Sequence, residues 1–172
     1  MELMDIILKR RSVRRYTDEE IPEKTLEKIV QAGLLAPTSR NLKPCDFCVV
    51  TDRRTLKKLS RAKSAGAGML ADCAAAVAVF GDAEKADTWV EDCSIAMSFM
   101  MLAAQEAGVG SCWVQLHFRT DASGRSAEEN AKEILAVPER FRIPGILALG
   151  FPAEEAQPHI PEDADLNRVH RI

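Results

Sequence analysis

The chain has 172 residues, a mass of 19.0 kDa, 47% hydrophobic residues and a formal net charge of −3, from 23 Lys+Arg against 26 Asp+Glu. At roughly 150 residues per domain this is one domain with enough apolar sequence for a core, and its charge balance argues against a partner that is a nucleic-acid backbone. No apolar run reaches the ~18 residues that read as a membrane span, and the opening Met1-Glu2-Leu3-Met4-Asp5 lacks the basic and apolar segments of a signal peptide, so a cytoplasmic protein is expected.

Leu3, Ile6 and Ile7 recur at helical spacing over residues 2–9. Thr17, Asp18 and Glu20 read as a helix start, with Pro22 in its first turn. Leu26, Ile29, Val30 and Leu34 form the inward face of that helix, and Pro37 ends it. A polar loop follows to Pro44, then a short β-rich run over 47–51. Asp52 caps the next helix, which turns Leu56 and Leu59 inward. Residues 74–80 are an apolar run of strand length ending at Gly81.

Residues 88–107 are the longest helical stretch, and Trp89, Ile95, Met97, Phe99, Met100, Met101 and Leu102 wrap most of its circumference. That pattern fits a central core helix, and equally one that also meets a partner subunit. Gly108 supplies the stop. Residues 111–116 read as a strand, and Ser126 with Glu129 as a capping box for a helix that ends before Pro138. Residues 143–151 form an apolar strand broken by Pro144 and Gly145, and from Ala153 the proline- and charge-rich tail is expected to be extended. Helices first, then strands alternating with helices, predict an α+β (mixed α/β) sandwich in which helices cover a sheet.

Cys45, Cys48, Cys73, Cys93 and Cys112 are an odd count without an export signal and read as free thiols. The CxxC at Cys45 and Cys48 has no second pair of soft ligands, and His117, His159 and His170 are scattered, so no metal site is expected. Gly108-Val109-Gly110 runs from helix into strand, the reverse of a dinucleotide fingerprint. Gly66-Ala67-Gly68-Met69-Leu70-Ala71 is a loose GxGxxA without a preceding strand, and Ser60-Arg61-Ala62-Lys63 matches SxxK without its companion motifs.

Three segments carry chemistry. Lys9-Arg10-Arg11-Ser12-Val13-Arg14-Arg15 closes the first helix. It reads as a solvated charged turn favoured by the helix dipole, as a nucleic-acid patch lacking interleaved aromatics, or as a phosphate clamp of guanidinium forks and a hydroxyl. Residues 36–44 place two prolines around Thr38, Ser39, Arg40 and Asn41, either an ordinary helix-stop loop or one presenting hydrogen-bond groups to a planar polar ligand. Residues 108–115 lead through Ser111-Cys112-Trp113-Val114-Gln115, where Trp113 is as much a core residue as a ligand contact.

Arg-Arg-Ser-Val-Arg-Arg-Tyr at 10–16, Ala-Pro-Thr-Ser-Arg-Asn-Leu-Lys-Pro at 36–44, Gly-Val-Gly-Ser-Cys-Trp at 108–113 and Ala-Leu-Gly-Phe-Pro at 148–152 occur in that order. Together they resemble the short nitroreductase family of FMN-dependent oxidoreductases, over nearly the whole chain. The resemblance implies one nitroreductase-like domain over 1–172, with a mostly antiparallel central sheet covered by helices. It further implies a homodimer with FMN at the interface and a tail, 153–172, packing on the partner subunit. By resemblance, Arg10, Arg11, Ser12 and Arg14 hold the phosphate, ribityl chain and pyrimidine edge of FMN. Pro37, Thr38, Ser39 and Asn41 reach the flavin from the partner, and Trp113, Val114 and Gln115 pass beside it.

The implied activity is reduction of nitroaromatic, quinone or similar small aromatic acceptors by NAD(P)H, in ping-pong hydride transfer through flavin N5, with no catalytic side chain required and no nucleic-acid or membrane partner. The sequence departs from the family at Lys43, where an amide is common, and at Gln157 and His159, where basic residues often help hold the phosphate. These departures leave a second reading, a flavin-binding protein with a storage or regulatory role and little turnover.

Overall fold

In the computed structural model, which describes residues 2–172, the described residues form five α-helices and four β-strands. In chain order they are α1 (Leu3–Lys9), α2 (Glu23–Leu34), β1 (Cys45–Val50), α3 (Arg53–Leu59), β2 (Ala75–Asp82), α4 (Trp89–Glu106), β3 (Gly110–Gln115), α5 (Ala127–Leu135) and β4 (Phe141–Gly150). The strands form one antiparallel sheet in the order β1-β2-β4-β3. The expected α+β sandwich is the architecture found.

The central strands β2 and β4 are buried on both faces, which is why each reads as an apolar run without alternation. The period of two still sorts their side chains. Ala75, Val77, Val79, Leu147 and Leu149 pack with Leu26 and Ile29 of α2 and Met97, Met100 and Ala104 of α4. Ala76, Ala78, Ile146 and Ala148 pack on the opposite face with Leu56 and Leu59 of α3 and Ala127 and Ala131 of α5. The sheet thus divides two apolar layers, each closed by a helix pair.

Local signals place several ends correctly. Asp52 Oδ2 accepts the Thr55 N–H at 2.8 Å at the start of α3, and the Ser126 side chain accepts the Glu129 N–H at 3.4 Å at the start of α5. Gly108 follows α4 with φ 73°, the left-handed turn expected of it. Four expectations need correction. The second helix starts at Glu23 and not at Thr17, because Tyr16 bridges Pro152 and the Thr17 N–H donates to Phe151 O at 2.9 Å, which holds this stretch extended. Pro144 and Gly145 do not break the last strand. Val79 pairs with Gly145 and Gly81 with Arg142, so Ile143 and Pro144 together face Phe80 in a bulge that spares proline a ladder hydrogen bond. The longest helix buries one side only: Cys93, Ala96, Met97, Met100 and Ala104 are inside, whereas Ile95 and Phe99 are 37% and 41% exposed. The tail is not extended throughout as expected: it carries two short 3₁₀ turns, Pro161–Asp163 and Leu166–Arg168. No helix among the described residues is long and apolar enough to cross a membrane.

Candidate functional site

Helix α1 ends when Arg10 turns extended, with its N–H still bonded to Ile6 O at 2.9 Å. The chain then runs along the open edge of β3. Ser12 bridges Ser111 in parallel, and the Val13 N–H donates to Ser111 O at 2.9 Å. Close approach needs a bare backbone at Gly110, where a Cβ would lie 2.9 Å from the Val13 side chain. The Tyr16 hydroxyl donates to Val13 O at 2.6 Å, and burial pushes its ionisation well above the ordinary phenol range.

The tail returns to this segment. Ala153 N–H donates to Arg15 O at 3.0 Å, His159 N–H donates to Leu8 O at 2.8 Å, and the Arg11 guanidinium donates to Gln157 O. Arg10, Arg11, Ser12, Arg14, Ala156, Gln157 and His159 then line an open pocket of about 420 Å³. Among the described residues Arg15 is paired with Glu154, but Arg10 and Arg14 have no carboxylate partner. These unpaired guanidiniums of Arg10 and Arg14 beside the Ser12 hydroxyl, with Arg11 shared with the Gln157 carbonyl and the Asp163 carboxylate, form a donor set suited to a phosphate monoester, and so fit the phosphate end of FMN. Arg11 is partly committed to the tail.

The loop 36–44 is held at the other end of α4. Asp92 Oδ1 accepts the Ser39 N–H at 2.9 Å, while Asp92 Oδ2 accepts from the Thr88 hydroxyl at 3.1 Å. Thr38 Oγ1 accepts the Lys43 N–H at 3.0 Å. Arg40 and Asn41, with φ of 51° and 55°, sit in the left-handed region within a tight 3₁₀ turn over Ser39–Asn41, and Lys43, with φ 49°, follows it. Pro37 and Asn41 are exposed, and Thr38 and Ser39 half-buried.

Gln105 and Gly108, at the C-terminal end of α4, share a cavity with Lys9 and Arg11. The loop is anchored at Asp92 of α4 and the arginine segment meets Gln105, so at ~1.5 Å per residue the two attachment points lie roughly 20 Å apart along the helix. One chain therefore does not bring Arg10, Ser12 and Arg14 together with Thr38, Ser39 and Asn41.

Strand β3 contributes differently at each position. Val114 is fully buried in the core. Because Ser111 O and Gln115 O face the open edge, strand alternation turns the Val114 N–H and C=O toward β4, so the expected flavin contact at Val114 has neither side chain nor backbone free to make it. Trp113 is half-buried against the α2–α4 layer, and its Nε1 donates to Gln115 Oε1 at 2.8 Å. Gln115 Nε2 donates to His117 O at 3.1 Å. Lys63, which the sequence reading passed over as an isolated SxxK, donates from Nζ to Gln115 O at 3.0 Å. Burial, and then the nearby Arg119, hold the Lys63 ammonium below its ordinary range. A cation thus stands at the far end of β3 from the arginine pocket. Nearby, Glu128 is buried and accepts from Arg142 at 2.5 and 3.0 Å, from the Ile143 N–H at 3.1 Å and approaches His117 Nδ1 at 3.3 Å.

Comparison with known proteins identifies the family. The nitroreductase family model matches residues 7–67 and 61–151. A solved FMN-dependent nitroreductase from Clostridium difficile R20291 is 37% identical, superposes with a TM-score of 0.95, and each chain covers 98% of the other. A protein of Archaeoglobus fulgidus provisionally named NADH dehydrogenase/NAD(P)H nitroreductase is 35% identical over 99% of this chain and 97% of its own. The FMN reductase [NAD(P)H] of Bacillus subtilis is 26% identical over 95% of this chain and 72% of its own. By family-model match and by identity over its full length, the chain belongs to the nitroreductase family.

Proposed function

We propose that this chain is an FMN-dependent NAD(P)H oxidoreductase of nitroreductase type, working as a homodimer on quinone, nitroaromatic or similar acceptors. The observation that carries the reading is the pocket at Arg10, Ser12 and Arg14, whose guanidiniums have no carboxylate partner among the described residues. When bound, FMN supplies two-electron redox chemistry at N5, accepting hydride from NAD(P)H and passing it on in a separate half-reaction.

The chain's own groups bind and orient. Arg10 and Ser12 would hold the phosphate, and Arg14, on the same wall of the pocket, would supply a cation to the pyrimidine edge. A cation there favours negative charge developing on that edge. Trp113 and the Gln115 N–H offer backbone groups along the open edge of β3, and Lys63, bonded to Gln115 O, adds a second cation there. Arg11 both lines the pocket and ties down the tail through Gln157.

Pro37, Thr38, Ser39 and Asn41 complete the site from the partner subunit. Their separation from the arginines along α4 supports that assignment, as do the exposed apolar residues Ile95 and Phe99 on α4 and Leu3, Met4 and Ile7 on α1. Ile160, Leu166 and Val169 in the tail are also exposed and suit contact with the partner. We place the protein in the cytoplasm.

Initial rates of NAD(P)H oxidation at several concentrations of a quinone acceptor test the reading. Parallel double-reciprocal lines are expected of two successive half-reactions. Intersecting lines contradict the ping-pong order, and FMN-loaded protein without turnover favours a flavin-storage role instead.

A further inference from the structure

Cys45 opens β1 and Cys93 lies in the second turn of α4, 48 residues apart in sequence, yet their Sγ atoms are 3.5 Å apart. The notch that houses them is made by a glycine. Gly81 of β2 is the residue directly across from Cys45, and a Cβ on Gly81 would lie 3.0 Å from Cys93 Sγ. Side chains directly opposite in an antiparallel pair stand ~4.5–5.5 Å apart at Cβ. With no side chain on Gly81, the Cys93 sulfur occupies that place and meets Cys45. Cys48 instead packs on the opposite layer, with Cys73.

We propose that Cys45 and Cys93 are a modification site, a dithiol that peroxide converts reversibly into a disulfide. The two sulfurs differ in access. Cys93 is fully buried, and contact with Cys45 together with burial pushes its thiol up; Cys45 is only half-buried. Cys45 is therefore the sulfur that meets the oxidant. Cys45 gives up its proton, its thiolate attacks one oxygen of hydrogen peroxide and breaks the O–O bond, and the departing hydroxide takes up that proton, leaving a sulfenic acid and one water. The Cys93 thiol then attacks the Cys45 sulfur, the S–O bond breaks, and the hydroxyl leaves with the Cys93 proton as a second water. In sum, two thiols and one peroxide give one disulfide and two waters. A dithiol reductant reverses it by exchange.

The site matters because of what flanks it. Asp92, next to Cys93, holds the Ser39 N–H, and Pro44, next to Cys45, accepts the Asp82 N–H at 2.9 Å through its carbonyl. The three left-handed residues Arg40, Asn41 and Lys43 lie between those anchors. A bond between Cys45 and Cys93 would tie both ends of that turn to one point.

The test is peptide mapping of the intact protein, treated with hydrogen peroxide, alkylated and digested without reduction. The expected result is loss of two of the five alkylatable thiols, a cross-linked peptide pair containing Cys45 and Cys93 that has lost two hydrogens, and its disappearance on dithiothreitol treatment. Cys93→Ser should stop the cross-link and trap Cys45 as a sulfenic acid captured by dimedone, and Cys45→Ser should leave Cys93 unmodified. The proposal is overturned if all five thiols alkylate after peroxide, if Cys45 passes to sulfinic acid in wild type without a cross-link, or if Cys93 is oxidised equally in Cys45→Ser.

Discussion

Asp92 holds the backbone N–H of Ser39 at 2.9 Å across 53 residues of sequence. This one carboxylate ties a strained surface turn to the first turns of the longest helix, and with its second oxygen it takes the Thr88 hydroxyl. Asp92 is itself 2% exposed. Replacing it with Ala removes the acceptor of a half-buried N–H and a half-buried hydroxyl, a loss of about 1 kcal/mol, at the low end for an unsatisfied buried group. We expect Asp92→Ala to lower the urea midpoint accordingly and to weaken FMN binding, measured by quenching of flavin fluorescence. Asp92→Asn keeps one acceptor and should recover part of both.

The arginines of the anion pocket are not equivalent. Arg10→Ala should raise the Kd for FMN about 10–100-fold, the loss of roughly 1.5–3 kcal/mol for hydrogen bonds to a charged group. Arg14→Ala should cost less, because this side chain is exposed and works nearer solvent. Arg11→Ala should act first on the tail, since its guanidinium already serves Gln157 O. Its signature is faster proteolysis after residue 153 with a smaller change in FMN affinity. Titration of each variant with FMN, and with riboflavin as the phosphate-free control, separates these effects.

Glu128 sets an acid limit on stability. Burial alone would raise its carboxyl, but hydrogen bonds from Arg142, the Ile143 N–H and His117 outweigh burial and hold it below the usual carboxylate range. A depressed carboxyl favours the folded state at neutral pH, and that contribution is lost as pH falls through the carboxylate range. Glu128→Gln should therefore be less stable at pH 7 and should lose stability less steeply toward low pH. The expected cost is about 2–3 kcal/mol, below the ~3–5 kcal/mol of a fully buried pair, because Arg142 is 41% exposed. Urea unfolding of both proteins from about pH 7 down to about pH 3 gives the comparison, with the divergence expected below the ordinary Glu value of about 4.3, where a depressed carboxyl protonates.

Local chemistry was readable in the sequence and distant pairing was not. Asp52 and Ser126 cap helices through N–H groups three residues away, so their type and spacing announced them. Thr17 and Asp18 carried the same kind of signal and failed, because pairing of Tyr16 and Thr17 with residues near Pro152 overrides it. Pro144 looked like a strand breaker until the bulge opposite Phe80 removed the need for its N–H. In the site, the arginine cluster was visible as a run, whereas Lys63 meets Gln115 only through folding across 52 residues. Gln157 and His159, which depart from the family's basic tail, line the arginine pocket only because the tail folds back on α1 and its extension.

The exposed faces of α1 and α4 make association itself testable. Phe99 is 41% exposed and Ile95 37% on the outward side of α4. Phe99→Glu should shift sedimentation from dimer to monomer, with FMN affinity falling in step although every arginine of the pocket is intact. A charged residue on a face already in water would change neither.

The proposed site draws its phosphate donors from one subunit and its Thr38–Ser39–Asn41 turn from the other. Complementation measures this most directly. A variant carrying Arg10→Ala and Arg14→Ala, and one carrying Thr38→Ala, Ser39→Pro and Asn41→Ala, are each expected to lose FMN from the purified homodimer. Co-expressed with different affinity tags and purified through both, they form a heterodimer in which one site holds both defects and the other holds none. Recovery of the flavin visible bands, bleached by NAD(P)H, is the expected result. A doubly tagged heterodimer that stays colourless and does not bind added FMN would contradict a site shared between subunits.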